Sequence, residues 1–121
     1  MPQGFKRAER VAEALHQELG RMLLRELKDP RIGRVTITRV RVTDDLKHAR
    51  AFVAAAGDAQ AVARALEGLR SAAGFLRGEL ARRLHLRYAP EVLFEPDDSL
   101  DEMQRLAHLF KTLGDQAEDE A

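Results

Sequence analysis

The sequence predicts an α+β domain in which a three-stranded sheet packs on helices. The order is helix, strand, strand, two helices meeting at a kink, strand, and a C-terminal helix. Three patterns carry this expectation. Apolar residues recur at helical spacing ahead of Asp29, and β-branched residues then alternate along a short segment followed by turn residues. A stretch rich in alanine, leucine and arginine comes next, interrupted by an interior glycine and ending in a short apolar run.

The first helix is expected from about Lys6 to Lys28, where Val11, Leu15, Leu19, Met22 and Leu23 form one apolar stripe. At about 100° per residue, Arg7, Arg10, Arg21, Arg25 and Lys28 fall within roughly 60° of one another on a different face. Glu18 interrupts that basic stripe. Asp29-Pro30 ends the helix, because the residue before proline is pushed out of the α region. Arg34 to Thr43 reads as a strand whose apolar parity shifts between Ile37 and Val40, so a bulge is expected near Thr38-Arg39. Thr43-Asp44-Asp45-Leu46 has turn chemistry, and Lys47 to Ala56 supplies an antiparallel partner through Ala49, Ala51 and Val53.

Asp58 is placed to cap the next helix. Two helices, at about 58–71 and 75–86, are expected to meet at Ala72-Ala73-Gly74, since an interior glycine costs a helix about 1 kcal/mol relative to alanine. Tyr88 to Glu95 holds a short strand with Pro90 at its start, where a missing donor is tolerated. Ser99 to Gly114 reads as a last amphipathic helix, with Ser99 and Glu102 at capping-box spacing and Leu106, Leu109, Phe110 and Leu113 on its apolar side. Residues 1–114 thus read as one domain and 115–121 as an acidic flexible tail.

The chain has 121 residues, 45% of them hydrophobic, enough for a core without disulfides or metals. It contains no cysteine, which fits a reducing compartment and removes thiolate zinc sites and cysteine nucleophiles. No apolar h-region follows the basic residues near the N-terminus, and no run is long enough to span a bilayer, so a cytoplasmic protein is expected. The net charge of zero hides a segregation. Residues 1–90 carry 18 Lys/Arg against 10 Asp/Glu, whereas residues 91–121 carry 2 against 10. A basic body with an acidic end is the asymmetry expected where one surface meets nucleic acid.

Catalytic chemistry has no constellation to rest on. His16, His48, His85 and His108 lie far apart in sequence, and none has metal-ligand spacing to another histidine or acid. Gly57, Gly68, Gly74 and Gly78 form no phosphate-binding loop. Asp44-Asp45 and Asp97-Asp98 read as turn and cap residues. The sequence therefore predicts a protein that is not an enzyme and takes no cofactor, metal or small-molecule substrate.

The element order matches a type II, bacterial KH arrangement, an RNA-binding module in which a GXXG loop normally clamps the backbone. Here the helix junction carries Ala72-Ala73-Gly74 instead. Further stretches follow in order: Asp29-Pro30-Arg31-Ile32, Val35-Thr36-Ile37-Thr38-Arg39-Val40, Asp44-Asp45-Leu46-Lys47-His48-Ala49 and Ala72 to Arg77, then Leu86 to Phe94 and Asp97-Asp98-Ser99. Together they make the chain, from about Arg7 to Leu113, resemble the ribosome-binding factor A family, whose KH-like fold has an Ala-x-Gly kink in place of GXXG. The resemblance implies a protein that binds the free 30S subunit late in assembly and leaves before translation; nothing in the sequence suggests an obligate dimer, so a monomer is expected. It also implies support for folding and processing of 16S rRNA, including its 5′-terminal helix, and a link to growth in the cold. The acidic end departs from the basic C-terminal extension that such proteins often carry.

RNA contact is expected to be mainly phosphate recognition, for which the planar arginine fork is suited. The candidates are Lys6, Arg7 and Arg10 on the first helix, Arg31 and Arg34 before the first strand, and Arg70, Arg77, Arg82, Arg83 and Arg87 around the kink. Ala72 and Gly74 would permit the kink that aims Arg70 and Arg77 outward. Most of the few aromatics read as core, with Phe5 and Tyr88 the candidates for exposure, so backbone contacts should outweigh base stacking. The alternative is a protein-binding adapter with the same α+β fold, which would show little salt dependence and no RNA contact.

Overall fold

A computed structural model describes residues 3–27, 29–98 and 107–114. The element order is α1 (Gln3–Arg25), β1 (Val35–Val42), β2 (His48–Ala55), α2 (Ala59–Ser71), α3 (Ala73–Arg83) and β3 (Glu91–Pro96). Residues 107–114 are helical as well. Ser99, Glu102, Leu106 and the side chain of Phe5 lie outside what is described, so the expected capping box does too. Among the described residues, no helix is long and apolar enough to cross a membrane.

Helix α1 stops three residues short of the expected end. Leu27 N–H turns back to the Met22 carbonyl at 3.0 Å, and Asp29 Oδ1 accepts from the Arg31 N–H at 2.9 Å. These two closures turn the chain so that Ile32 enters the core, 4% exposed. Strands β1 and β2 pair antiparallel, and the register shifts between Ile37 and Arg39, where the sequence parity places the bulge. After the bulge Val40 and Val42 face inward opposite Ala51 and Ala49, while Arg39 and Arg41 face outward. The hairpin is closed by side chains. Thr43 Oγ1 donates to Asp45 at 2.6 Å, and Asp45 accepts the Lys47 N–H at 3.0 Å. Leu46 takes the left-handed conformation there, with φ 63°.

Asp58 caps α2 by accepting the Ala61 N–H at 2.9 Å. The chain returns through α2 and α3 to lay β3 parallel beside β2, giving the sheet order β1-β2-β3. That crossover needs the two helices, since parallel strands cannot be joined by a tight turn. The core lies between the helices and one face of the sheet. Leu15, Leu19 and Met22 of α1 and Leu69, Leu76 and Leu80 of α2 and α3 are fully buried. They surround Phe94, also 0% exposed, and Val53.

Two aromatic residues sit on the surface. Tyr88, one of the two candidates for exposure, is 76% exposed. Phe75, expected in the core, is 56% exposed. The reason is helical geometry: Leu76 and Leu80 take the inward stripe of α3 at spacing i, i+4, which turns Phe75 about 100° away from it.

Candidate nucleic-acid interface

The junction of α2 and α3 is a single residue wide. Ala72 has φ −88° and ψ −2°, its N–H reaches the carbonyls of Gly68 and Leu69 at 3.1 Å, and its own carbonyl accepts from Leu76 at 2.9 Å. Small side chains make this possible, with Ala72 and Ala73 half-buried against the core. Gly74 is exposed, and a Cβ added there would meet nothing within 4 Å. Its missing side chain therefore relieves no internal packing and leaves the backbone open to an outside partner. The close-packed glycine of α2 is Gly68, where a Cβ would meet Ile32 Cγ1 at 2.8 Å and Arg31 Cβ at 3.3 Å. That contact seats the Asp29–Ile32 turn beside the kink, and Leu27, Asp29, Pro30, Arg31, Ser71 and Ala72 line one shallow depression.

The candidate cations divide into two groups. Five are held by the fold. Arg31 forms a fork on Asp29, with Nη2 to Oδ2 at 2.7 Å, and reaches Glu67 at 3.6 Å. Arg70 donates to the Phe94 carbonyl at 3.2 Å and Arg77 to the Ala89 carbonyl at 3.0 Å. Both therefore tie the kinked helices to β3 and its approach. Arg82 binds Glu79 at 2.6 Å. Arg83 gathers Glu26, Glu79 and Glu18, joining α3 to α1 and accounting for the acid that interrupts the basic stripe of α1.

The other five are available. Lys6, Arg7, Arg10 and Arg34 are exposed, with no side-chain partner among the described residues. Arg87 is exposed and lies over the Tyr88 ring, 5.6 Å from its centroid. Arg7 and Arg10 flank a groove of about 360 Å³ floored by Val11, Ala14, Leu84 and Leu86. The first half of α1 and the segment that follows α3 are thus brought together. Arg34 stands apart, beyond the far end of α1, a helix roughly 35 Å long at 1.5 Å per residue.

Arg39, Arg41 and Arg50, which are not among the cations expected from the sequence to contact RNA, project from the face of the sheet opposite α1, α2 and α3. Arg39 lies 4.2 Å from the Phe52 ring centroid, and Arg50 binds Glu95 at 2.8 Å. The alternation that marks Val40, Val42, Ala49 and Ala51 as inward also marks these arginines as outward, and that signal is present in the sequence.

Ion pairing gives the held group a pH dependence. Hydrogen bonds from the Arg31 side chain hold the Asp29 carboxyl below the usual aspartate range, as the Thr43 hydroxyl does for Asp45. The hydrogen bond from Arg82 does the same for Glu79. Each folded carboxylate binds its proton less readily than in the unfolded chain. The stability they contribute is therefore complete above the ordinary values of about 4 and is lost as pH falls through the lower folded values. Urea unfolding between about pH 6 and pH 3 should show stability falling on the acid side. Glu79→Gln should flatten part of that fall, and an unchanged profile would remove Glu79 from the account.

The helix–strand–strand–helix–helix–strand order, with its mixed sheet and one-residue helix junction, defines an α+β domain of the type II KH-like class. Residues 7–110 match the family model described as ribosome-binding factor A. The chain is 44% identical to ribosome-binding factor A of Geobacter metallireducens over 110 residues, covering 91% of this chain and 93% of that protein. Identity to the Syntrophus aciditrophicus protein of the same name is also 44%, over 90% and 89% of the two chains. Among solved structures, the crystal structure of ribosome-binding factor A from Thermus thermophilus superposes with a TM-score of 0.63 at 28% identity, over 74% of this chain and 94% of that one. A homology model of the Thermus thermophilus factor, fitted into the cryo-EM map of a 30S–RbfA complex, gives 0.54 at 31% identity, over 70% and 93%. The chain belongs to the ribosome-binding factor A family.

Proposed function

We propose that this chain is a cytoplasmic, non-enzymatic assembly factor that binds the free 30S subunit through 16S rRNA and assists its late maturation, including processing around the 5′-terminal helix. The observation that carries the reading is family membership over 7–110, together with a structural neighbour that was fitted into a 30S complex. The surface chemistry supports it. Lys6, Arg7, Arg10 and Arg87 are exposed cations with no acidic partner among the described residues, and each phosphate contact they made would release counterions. Arg34 adds a further phosphate contact beyond the far end of α1. Arg31, Arg70, Arg77, Arg82 and Arg83 act mainly by holding the kink and its neighbours in place, and their outer edges remain usable for RNA. Ala72 makes the sharp junction, and Gly74 offers bare backbone on which a sugar–phosphate chain can lie closely.

Sedimentation of a tagged protein from growing cells tests this directly. The protein should travel with free small subunits, be missing from polysomes, and leave the subunits as salt is raised. Sedimentation with polysomes, or with no ribosomal particle, would overturn the proposal.

A further inference from the structure

Helices α1, α2 and α3 cover one face of the sheet, and among the described residues the other face is bare. Leu93 keeps 50% of its surface exposed in the middle of β3, next to Arg50 across the β2–β3 ladder. Phe52 is half-buried between the guanidinium groups of Arg39 and Arg50, at 4.2 and 5.7 Å from its centroid. Arg50 is committed to Glu95, whereas Arg41 has no side-chain partner among the described residues. The face thus carries Leu93 and Phe52 among the paired charges His48–Glu91 and Arg50–Glu95, with the cations of Arg39 and Arg41 at its β1 edge.

The helical segment 107–114 carries the complementary chemistry. Leu109, Phe110 and Leu113 share one side of it and are 52%, 67% and 52% exposed. Exposed apolar clusters of this kind mark surfaces that bind something. The surrounding sequence is acidic, since residues 97–121 hold two basic and eight acidic side chains. The acids at 115–120 directly follow the apolar stripe. Reach is sufficient. Ten residues, 97–106, separate β3 from the helical segment, a contour of at most roughly 35 Å, while the six residues of β3 span only about 20 Å. A tether of this length keeps the segment at a high effective concentration beside the sheet.

We propose that the C-terminal segment 107–121 docks on the open face of the sheet. Leu109, Phe110 and Leu113 cover Leu93 and Phe52, and the acidic end lies beside Arg39 and Arg41. Apolar burial drives the docking and the opposite charges set its direction. Docked, the segment completes a helix–sheet–helix sandwich and occupies the sheet arginines, leaving the helix layer as the cationic face presented to a partner. The docking rests on this chain's own residues and stands independently of the ribosomal reading. The competing seat is the groove between α1 and α3, whose floor is also apolar but whose position is not adjacent to the strand from which the segment departs.

The chain has no cysteine, so engineered pairs report unambiguously. In the full chain, Leu93→Cys/Phe110→Cys should form an intramolecular disulfide under mild oxidation, since bridging needs Cα atoms within about 7 Å. It should form at least tenfold faster than in Ala14→Cys/Phe110→Cys, which probes the helix groove. Adding Leu109→Ser/Leu113→Ser should slow the first pair by a similar factor while circular dichroism shows the fold retained. The proposal is overturned if the first pair stays reduced, links only between chains, or forms no faster than the groove pair.

Discussion

Replacing Gly68 by leucine should destabilise the fold by about 3 kcal/mol, near the top of the usual range for over-packed sites. A Cβ at this position already meets Ile32 Cγ1 at 2.8 Å, and Ile32 is itself only 4% exposed. Neither partner can yield cheaply. Ile32 is branched and held in the core, and the turn behind it is closed by the Asp29 carboxylate. For a domain of this size the melting temperature should fall by roughly 12–24 °C. Gly68→Ala sets the same clash against a gain in helix propensity of about 1 kcal/mol, so its cost should be visibly smaller. Gly74→Ala is the control, because its Cβ enters open space; it should be neutral or stabilising by up to about 1 kcal/mol. Urea midpoints at an unchanged m-value would measure all three. Equal effects at Gly68 and Gly74 would remove the close-packing role assigned to Gly68.

Neutralising Lys6, Arg7 and Arg10 together, each to glutamine, should weaken binding to free small subunits by roughly 10²-fold near 0.1 M salt. The same change should reduce the slope of log K against log salt by about 2 to 3, one increment for each lost phosphate contact. Stability should be nearly unchanged, because all three side chains are exposed and none has a partner among the described residues. Arg70→Ala and Arg77→Ala contrast with this triple variant. Each removes a hydrogen bond to a backbone carbonyl, of Phe94 and Ala89 respectively, and each should cost about 1 kcal/mol of stability. Any loss of binding must be judged against that. Gly74→Leu then isolates the kink, since it should preserve the fold and weaken binding if RNA backbone lies against the bare glycine. An unaltered salt slope in the triple variant would place the RNA-contacting face elsewhere.

The sequence pattern carried most of the local architecture, and particular residues show why. The parity change between Ile37 and Val40 located the bulge, because side-chain direction in a strand depends only on neighbours. Asp58 announced the start of α2, and Ala72-Ala73-Gly74 the break before α3, through contacts reaching no more than four residues. Hydrophobicity alone places Phe75 in the core, whereas the Leu76–Leu80 spacing assigns the inward stripe of α3 and leaves Phe75 outside it. Exposure in the 107–114 helix could not be read from its amphipathic pattern, which specifies that one side is apolar and not what covers it.

The division of labour among the arginines was a different matter. Residue type and place in the chain grouped Arg70, Arg77, Arg82 and Arg83 with Arg7 and Arg10 as equivalent candidates, yet the fold ties the first four to carbonyls and carboxylates and gives the last two no side-chain partner among the described residues. Three of those ties, Arg70 to Phe94, Arg77 to Ala89 and Arg83 to Glu26, join segments 24, 12 and 57 positions apart. Gly68 is comparable, since its role depends on a turn that precedes it by more than thirty positions. By itself, then, the sequence determined the elements, their order, the bulge, the kink and the family resemblance, all of which rest on short-range periodicity or linear motifs. Only the tertiary structure decided which cations are committed and which are available, because a side chain's partner is set by which distant segments the folded chain brings within about 3 Å of it.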